Sequence, residues 1–372
     1  MKELGLYIHI PFCKQKCKYC DFISYANKNE NIKEYIGALK QEIIENKDKT
    51  KDFQISTIYF GGGTPSYIDS IYIVEILNTI KQNYNIRTNA EITIEVNPGT
   101  VNIEKLKDYY EAGINRLSIG LQSTNNELLK LIGRIHTYEE FLDTYNTARK
   151  VGFKNINVDL MIGLPKQKID DVKNSINEVI MLNPEHISVY SLIVEEGTQI
   201  EKEISKGILK LPEEDYERKE YWLVKNILEN AGYKHYEISN FAKPGYESKH
   251  NMNCWEQKEY LGFGVSAHSY MNKIRYSNRE DLQKYIDGNT VVIHEKQDKQ
   301  AEEKEYMLLG LRKIDGIRIS EFKNKFVDNP IYVFKNELNK LVEEDLIEVD
   351  IDQIKLTNKG IDLANIVWEE FV

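Results

Sequence analysis

Short apolar runs rich in β-branched residues alternate with amphipathic segments along the first half of the chain. The apolar runs are predicted as strands: Leu6–Ile10, Ile55–Phe60, Glu91–Val96, Arg116–Gly120, Asn157–Met161 and His186–Ser191. The segments between them repeat apolar residues at helical spacing and are predicted as helices: Asn31–Asn46, Ser70–Asn83, Ile103–Ala112, Tyr138–Val151 and Asp170–Met181.

This alternation predicts an α/β fold with a parallel sheet and right-handed crossovers. About six βα units fit either an open sheet or a partial (β/α) TIM-type barrel, and the spacing does not choose between them. In both architectures ligands bind at the carboxyl ends of the strands. We therefore expect the functional residues just after the predicted strands.

The second half of the chain has a different pattern. A longer helix is predicted over Glu213–Gly232, followed by a loop-rich stretch through Asn272 and a charged linker, His294–Glu305. Beyond the linker, three helices are predicted, then a strand pair, Ile347–Val349 and Ile354–Leu356, and then a last helix. This order is typical of a winged-helix-like module. We predict three parts: residues 1–235, 236–295 and 296–372.

Composition argues against two classes of protein. The 372 residues carry a formal net charge of −10, whereas a nucleic-acid-binding protein normally shows a basic face. Residues 321–345 hold four Lys against six Asp or Glu, so a structural or partner-docking role is favoured over a DNA-binding regulator. No apolar stretch is long enough to span a bilayer, and the run Leu4–Ile10 is too short for a signal-peptide core. A cytoplasmic location is expected.

Three of the four cysteines, Cys13, Cys17 and Cys20, follow the first predicted strand with C-x₃-C-x₂-C spacing. Three thiolates on one loop can hold three irons of a [4Fe–4S] cubane and leave the fourth iron open. A structural zinc site is the alternative, but it needs a fourth ligand such as His9 or Cys254. Three unrelated core cysteines are a second alternative.

Other polar or glycine-rich positions follow the next strands. The strand Ile55–Phe60 ends in Gly61-Gly62-Gly63-Thr64-Pro65, where backbone without side chains can approach a ligand closely. By itself such a loop is also ordinary turn chemistry. Glu95 ends the next strand, and Asp159 lies in an otherwise apolar run, where a lone acid needs a partner or a ligand. Glu95 could equally be a surface acid.

The cysteine spacing, with the aromatic Tyr19 before the last cysteine, resembles the signature of the radical S-adenosylmethionine (SAM) superfamily. The resemblance implies a partial-barrel core, one [4Fe–4S] cluster and SAM bound through its amino and carboxyl groups to the open iron. It also implies that the reduced cluster can cleave SAM to a radical. An electron donor such as flavodoxin or ferredoxin is then a possible partner.

Within that superfamily the chain resembles the branch of the oxygen-independent coproporphyrinogen oxidase. The motifs that match are Tyr7-Ile-His-Ile-Pro-Phe-Cys13, Gly61-Gly-Gly-Thr-Pro65, Glu95-x-Asn-Pro98, Gly120-Leu-Gln-Ser123, Gly133-Arg134 and Asp159-Leu-Met-Ile-Gly-Leu-Pro165. By this resemblance the SAM contacts are Tyr7, Tyr19, Gly62, Gly63, Thr64, Glu95, Gln122, Arg134 and Asp159.

Two groups of this branch differ at the cluster loop. The oxidase has a fourth cysteine two residues after the third, whereas this chain has Phe22 there and a short N-terminal segment. The chain is thus similar to the haem chaperones of the branch (HemW), which implies haem binding and delivery to haem-accepting proteins. The absence of the fourth cysteine favours a chaperone over an enzyme. The alternative is an active radical-SAM enzyme on a tetrapyrrole, such as a coproporphyrinogen III decarboxylase or a methyl- or haem-modifying enzyme.

The haem chaperones carry a His-Asn-x-x-Tyr-Trp motif that is proposed to take part in haem binding. The corresponding residues are His250, Asn251, Cys254 and Trp255, with cysteine replacing the family's tyrosine. Haem iron accepts His, Cys or Tyr as an axial ligand, so His250 and Cys254 are both candidates. Alternatively, His250 and Trp255 are packing residues at a domain junction, and Cys254 is a small buried hydrophobe. His9 and His268 are further candidates.

Overall fold

The computed structural model describes residues 1–288 and 290–372 and contains one twelve-stranded mixed sheet within them. Its strands, in chain order, are β1 Lys2–Ile10, β2 Phe53–Gly62, β3 Ile86–Val96, β4 Arg116–Gln122, β5 Ile156–Ile162, β6 His186–Ser191, β7 Lys234–Glu237, β8 Asn240–Ala242, β9 Tyr260–Phe263, β10 His268–Met271, β11 Ile274–Asn278 and β12 Val291–Lys296. Strands β1 to β6 are neighbours and parallel, as predicted.

The helices that follow these strands cover the sheet and bury its apolar face. They are α1 Ile32–Asn46, α2 Ser70–Asn83, α3 Ile103–Glu111, α4 Asn126–Leu131, α5 Tyr138–Val151, α6 Ile169–Leu182, α7 Gln199–Ser205 and α8 Glu214–Asn230. In β2, Ile58 and Phe60 are fully buried in the main core. Alternate residues point to the opposite face of a strand, so Thr57 and Tyr59 face the other way.

Residues from β2 to β6 line a single cavity: Tyr59, Glu95, Ser118, Gly120, Asp159, Met161 and Tyr190. A flat sheet could not bring five neighbouring strands around one space, since adjacent strands lie about 4.8 Å apart. The parallel strands therefore curl into the partial barrel, which confirms the predicted fold class and resolves the choice that the spacing left open. The cavity lies at their carboxyl ends.

The stretch after α8 is not the loop-rich segment that the sequence suggested. Strands β7 and β8 extend the sheet beyond β6, and β9 to β12 extend it beyond β1. The short helix α9 Lys249–Trp255 lies between these two groups of strands, and α10 Leu282–Ile286 lies between β11 and β12. The predicted linker His294–Glu305 likewise begins inside β12 and ends inside a helix. Strands β7 to β12 and helices α9 and α10 are too short to show a clear period, which is why the pattern missed them.

The C-terminal part forms the predicted winged-helix-like module. Its helices are α11 Lys299–Gly310, α12 Ile319–Phe326, α13 Pro330–Val333, α14 Lys335–Glu343, α15 Asn358–Asp362 and α16 Ala364–Glu369. Its three-stranded sheet pairs Gln353–Leu356 with Ile317–Arg318 on one side and Ile347–Val349 on the other. An aromatic cluster fills its core, with Phe322 and Phe326 ring centroids 4.7 Å apart. In the described part of the chain, no helix has the length and apolar character needed to cross a membrane.

Candidate cofactor site

The loop after β1 brings Cys13, Cys17 and Cys20 to the mouth of the barrel. Cys13 ends a two-residue strand, Phe12–Cys13, that pairs with Tyr25–Ala26. The amide of Thr64 donates to the carbonyl of Phe12 at 2.9 Å, which ties this strand to the Gly-rich loop after β2. All three cysteines line the same cavity, whose volume is about 380 Å³. Burial, with nearby Cys17 second, raises the pKa of Cys20 to about 11.

The backbone around Cys13 leaves room only for glycine. A side chain at Gly63 would begin 2.9 Å from the sulfur of Cys13, and one at Gly62, where φ is +111°, would meet the His9 ring at 2.5 Å. These glycines let the loop lie directly beside the sulfur. A bulky inorganic group held by Cys13 could therefore be approached by backbone, as the sequence predicted for this loop.

The cysteines are not arranged as a closed zinc site. Among the residues that the structure describes, no group of three or more His, Cys, Asp or Glu side chains is placed to hold a single metal ion. A zinc site needs such a group around one point, whereas a cubane takes each thiolate at a separate iron. The arrangement of the three thiols fits the iron–sulfur cluster better than the zinc alternative.

Eight of the nine predicted SAM contacts line the cavity with the cysteines: Tyr19, Gly62, Gly63, Thr64, Glu95, Gln122, Arg134 and Asp159. Tyr7 is the exception. Its ring stacks on Tyr59 at 6.2 Å, and its hydroxyl lies 3.1 Å from Nδ1 of His9. Tyr7 therefore supports the wall of the cavity from behind, and direct contact between Tyr7 and SAM stays a prediction.

Arg134 links the cysteine loop to the strand ends. One of its Nη atoms donates to Oδ1 of Asn97 at 2.7 Å and to the carbonyl of Gly120 at 2.6 Å, and the other lies 3.6 Å from the sulfur of Cys17. Its Nε is buried and has no hydrogen-bond partner among the described residues. An unpaired buried donor is costly, so this N–H is available for an anionic ligand group.

Two carboxylates, Glu95 and Asp159, line the same cavity as the cysteines. Burial raises the pKa of Glu95 to about 7, while a hydrogen bond from Tyr59 lowers it and nearby Asp159 raises it. Burial also raises the pKa of Asp159, which accepts hydrogen bonds from Ser118 at 3.2 Å and from Asn157 at 2.7 Å. Two acids in one partly dry cavity favour a cationic or hydroxyl-rich ligand, because such a ligand offsets the desolvation of both.

Sequence reasoning missed several residues of the cavity wall: Gln15, Lys16, Tyr59, Asn97, Ser118, Met161 and Tyr190. Tyr59 and Ser118 lie two residues before predicted strand-end positions, on the same face of their strands. The strand period of two, applied backwards from Gly61 and Gly120, would have found them. Asn97 and Met161 stand within the matched motifs, but the sequence alone assigned neither of them a role in ligand binding.

The haem-motif residues do not line this cavity and lie toward the other end of the barrel. His250 is 8% exposed, its Nδ1 is 2.9 Å from Oγ1 of Thr57, and its ring stacks on Tyr59 at 5.1 Å. Burial, with a smaller contribution from Arg116, lowers the pKa of His250 to about 4. The amide of Asn251 donates to Ser248, the N-cap of α9. These contacts match the packing interpretation.

Trp255 and Cys254 also have local roles. The guanidinium of Arg312 lies 4.4 Å from the ring centroid of Trp255 and 4.6 Å from that of Trp368, so it is stacked between two indoles. Burial raises the pKa of Cys254 to about 11, as expected for a neutral, hydrophobic thiol. Trp255 thus joins the barrel to the C-terminal module.

Comparisons with known proteins identify the family of this chain. Residues 7–179 match the family model of the radical SAM superfamily, and residues 298–363 match that of the HemN C-terminal domain. The chain is 39% identical to the haem chaperone HemW of Bacillus subtilis, over 98% of each chain. It is 36% identical to HemW of Lactococcus lactis, over 100% of this chain and 98% of the relative.

A solved structure is similar over the whole chain. Coproporphyrinogen III oxidase (HemN) from Escherichia coli superposes with a TM-score of 0.87 at 25% identity, covering 100% of this chain and 90% of the other. The predicted resemblance and fold class are therefore confirmed. The chain belongs to the radical SAM superfamily and, within it, to the family of the haem chaperone HemW.

Proposed function

We propose that the protein is a haem chaperone that carries a [4Fe–4S] cluster, SAM and haem and delivers haem to acceptor proteins. The observation that carries the proposal is the meeting of three cysteine thiols and eight predicted SAM contacts in one cavity. The second support is family membership: two relatives at 36% and 39% identity are named haem chaperone HemW.

The residues of the cavity fit the two cofactors by their chemistry. Cys13, Cys17 and Cys20 would supply the cluster's thiolates. The unpaired Nε–H of Arg134 suits a carboxylate, and Glu95 and Asp159 suit the ammonium, sulfonium and ribose hydroxyl groups of SAM. When reduced, such a cluster supplies one-electron chemistry, and the protein supplies position and exclusion of water.

Haem ligation by His250, Asn251, Cys254 or Trp255 stays a prediction. His250 is only 8% exposed, with its Nδ1 hydrogen-bonded to Thr57 and its ring stacked on Tyr59, so haem iron could reach its Nε2 only if the surrounding contacts opened. Haem binding at this motif would therefore accompany movement of α9. If His250 ligates haem, we expect His250→Ala to shift the Soret band and weaken binding. In that case Cys254→Tyr, which restores the family residue, should bind haem at least as well as the native chain.

The partners and location follow from this role. We propose that haem-accepting proteins take the cargo in the cytoplasm and that a flavodoxin- or ferredoxin-type protein reduces the cluster. Nucleic acid is not expected as a partner, given the net charge of −10.

One experiment tests the proposal directly. The protein is reconstituted anaerobically with iron and sulfide, and the same sample is titrated with haem and assayed for SAM cleavage. Near-stoichiometric haem uptake with a defined Soret band is the expected result. A reconstituted cluster without any haem uptake would contradict the chaperone role.

An active radical-SAM enzyme on a tetrapyrrole is the second candidate. It is favoured by the likeness to coproporphyrinogen III oxidase, at 25% identity over the whole chain. Phe22, which occupies the position of the oxidase's fourth cysteine, lines the cavity and is 62% exposed. A phenyl ring cannot supply a thiolate there, so the chaperone is the better supported function.

A further inference from the structure

Tyr59 occupies a central position between the two ends of the barrel. It lies on β2, two residues before the Gly-rich loop, and its ring forms part of the cavity wall. Its hydroxyl donates to Oε1 of Glu95 on the neighbouring strand at 2.9 Å. Tyr59, together with a backbone hydrogen bond from Gly62, therefore holds the carboxylate of Glu95 in place at the cavity wall.

The same ring also contacts the haem-motif helix. The Tyr59 and His250 rings are stacked, with an interplanar angle of 26°. Below them, Thr57 lies within hydrogen-bond distance of Nδ1 of His250. The carboxylate of Glu91 accepts the amides of Lys249 and His250 at 3.2 and 3.1 Å, which seats the first turn of α9 against β3.

A continuous chain of contacts thus runs from the cavity to α9, through Glu95, Tyr59 and His250. Each link is a direct contact between side chains rather than mere proximity in the fold. Coupling carried by such a chain is reciprocal, so a ligand that orders one end would stabilise the other end by the same free energy.

We propose that Tyr59 is a positioning residue that orients Glu95 for SAM and couples occupancy of the SAM cavity to the seating of His250 and helix α9. This inference rests on the proposed function, since SAM is its ligand. It adds a residue that neither the motifs nor the comparisons identify. It also gives the haem motif a physical connection to the cofactor site.

The hydrogen bond from Tyr59 has an electrostatic consequence. Hydrogen bonding to a carboxylate favours the ionised form, and Tyr59 lowers the pKa of Glu95 against the opposing effect of burial. The other titratable groups near this pair are Tyr7 on β1, Arg116 on β4, Asp159 and Tyr190 on β5 and β6, and His250 on α9. Loss of the Tyr59 hydroxyl should therefore raise the pKa of Glu95 further above about 7.

The first test compares SAM affinity of reconstituted Tyr59→Phe and native protein between pH 6.5 and 8.5. We expect Tyr59→Phe to bind SAM about tenfold more weakly near neutral pH, with the affinity recovering at higher pH, because a hydrogen bond to a charged group contributes about that factor. Tyr67→Phe is the control: it also removes one phenol hydroxyl, which here bonds Asn29 near the protein surface.

The second test needs no cofactor chemistry. The titration of the Glu95 carboxyl is followed by carbon NMR in SAM-free native and Tyr59→Phe protein, and a higher pKa is expected in the variant. The positioning role would be overturned if Tyr59→Phe had the same SAM affinity, the same pH profile and the same Glu95 titration as the native chain. If the native chain bound no SAM at all, the proposed function itself would fail, which is a distinguishable outcome.

The third test addresses the coupling to α9. Amide hydrogen exchange of residues 249–255 is measured with and without SAM. SAM should slow exchange in the native chain but not in Tyr59→Leu, which lacks both the hydroxyl and the stacked ring. Unchanged exchange in the native chain on SAM binding would overturn the coupling.

Discussion

At the scale of single residues, the cysteines separate by environment. Cys13, Cys17 and Cys20 share one cavity wall, whereas Cys254 lies on α9 at the other end of the barrel. We expect Ala at any of the first three positions to abolish [4Fe–4S] assembly, because each thiolate ligates one iron. Cys254→Ala is the matched control and should retain the full cluster, as measured by Mössbauer spectroscopy. Loss of the cluster in Cys254→Ala would refute the open-iron model.

Glu95 makes stability depend on pH with a defined sign. Burial raises the pKa of Glu95 in the folded chain to about 7 from 4.5. The folded state therefore favours the neutral carboxyl, and the free energy of unfolding falls as pH rises from 4.5 through 7. Glu95→Gln should therefore melt at a higher temperature than the native chain at pH 8 and nearly equally at pH 5. It should also bind SAM more weakly. A variant that lost stability at pH 8 would show that Glu95 is a structural residue.

The contrast between Glu95 and His250 shows how far the sequence reached at this scale. Position at a strand end made Glu95 a candidate, since parallel strands bring their ends together, and the family resemblance supplied its predicted role as a SAM contact. The motif around His250 lies on a short helix outside that pattern. Its burial against Thr57 and Tyr59 depends on where α9 packs, which no local signal specifies.

At the scale of elements, the seating of α9 depends on one buried acid. Glu91, 6% exposed, accepts the two amides at the start of the helix. Glu91→Ala leaves these amides without that acceptor and should lower the free energy of unfolding by about 1–3 kcal/mol. Hydrogen exchange should accelerate within 249–255 in particular. Asn89→Ala, exposed on the same strand, should leave that exchange unchanged; equal effects of both variants would contradict this role for Glu91.

The elements themselves were predictable where they were long. The predicted helices Ser70–Asn83 and Tyr138–Val151 have the bounds that the structure gives to α2 and α5. For α5 a capping box between Thr137 and Glu140 fixes the start, and Gly152 with φ of +122° ends the helix. The three- to five-residue strands of the 236–278 region carry too few residues for a period, so they were mistaken for loops.

At the scale of the molecule, the fold is shared with an oxidase, but Phe22 stands where the family resemblance implies the oxidase's fourth cysteine. We expect no conversion of coproporphyrinogen III to protoporphyrinogen IX in an anaerobic assay with SAM and a strong reductant. Chromatographic detection of that product, at turnover above a Cys20→Ala control, would overturn the chaperone role and favour the enzyme.

The division into residues 1–235, 236–295 and 296–372 stays a prediction. The middle segment adds strands to both edges of the barrel sheet, so it is part of the same sheet. The C-terminal module is joined to it by backbone hydrogen bonds, from Ile238 to Arg312 at 3.1 Å and from Ile314 to Tyr236 at 3.1 Å. These contacts link parts far apart in sequence, which local patterns cannot reveal.

The stack around Arg312 has an optical consequence. The chain has three tryptophans, and all of them lie where the barrel meets the C-terminal module: Trp255 and Trp368 enclose Arg312, and Trp222 donates to Asp362 of α15 at 2.9 Å. Indole emission shifts to longer wavelength when the ring enters water. The intrinsic fluorescence of the unlabelled protein is therefore a built-in reporter of this junction, and release of the module would appear as a red shift.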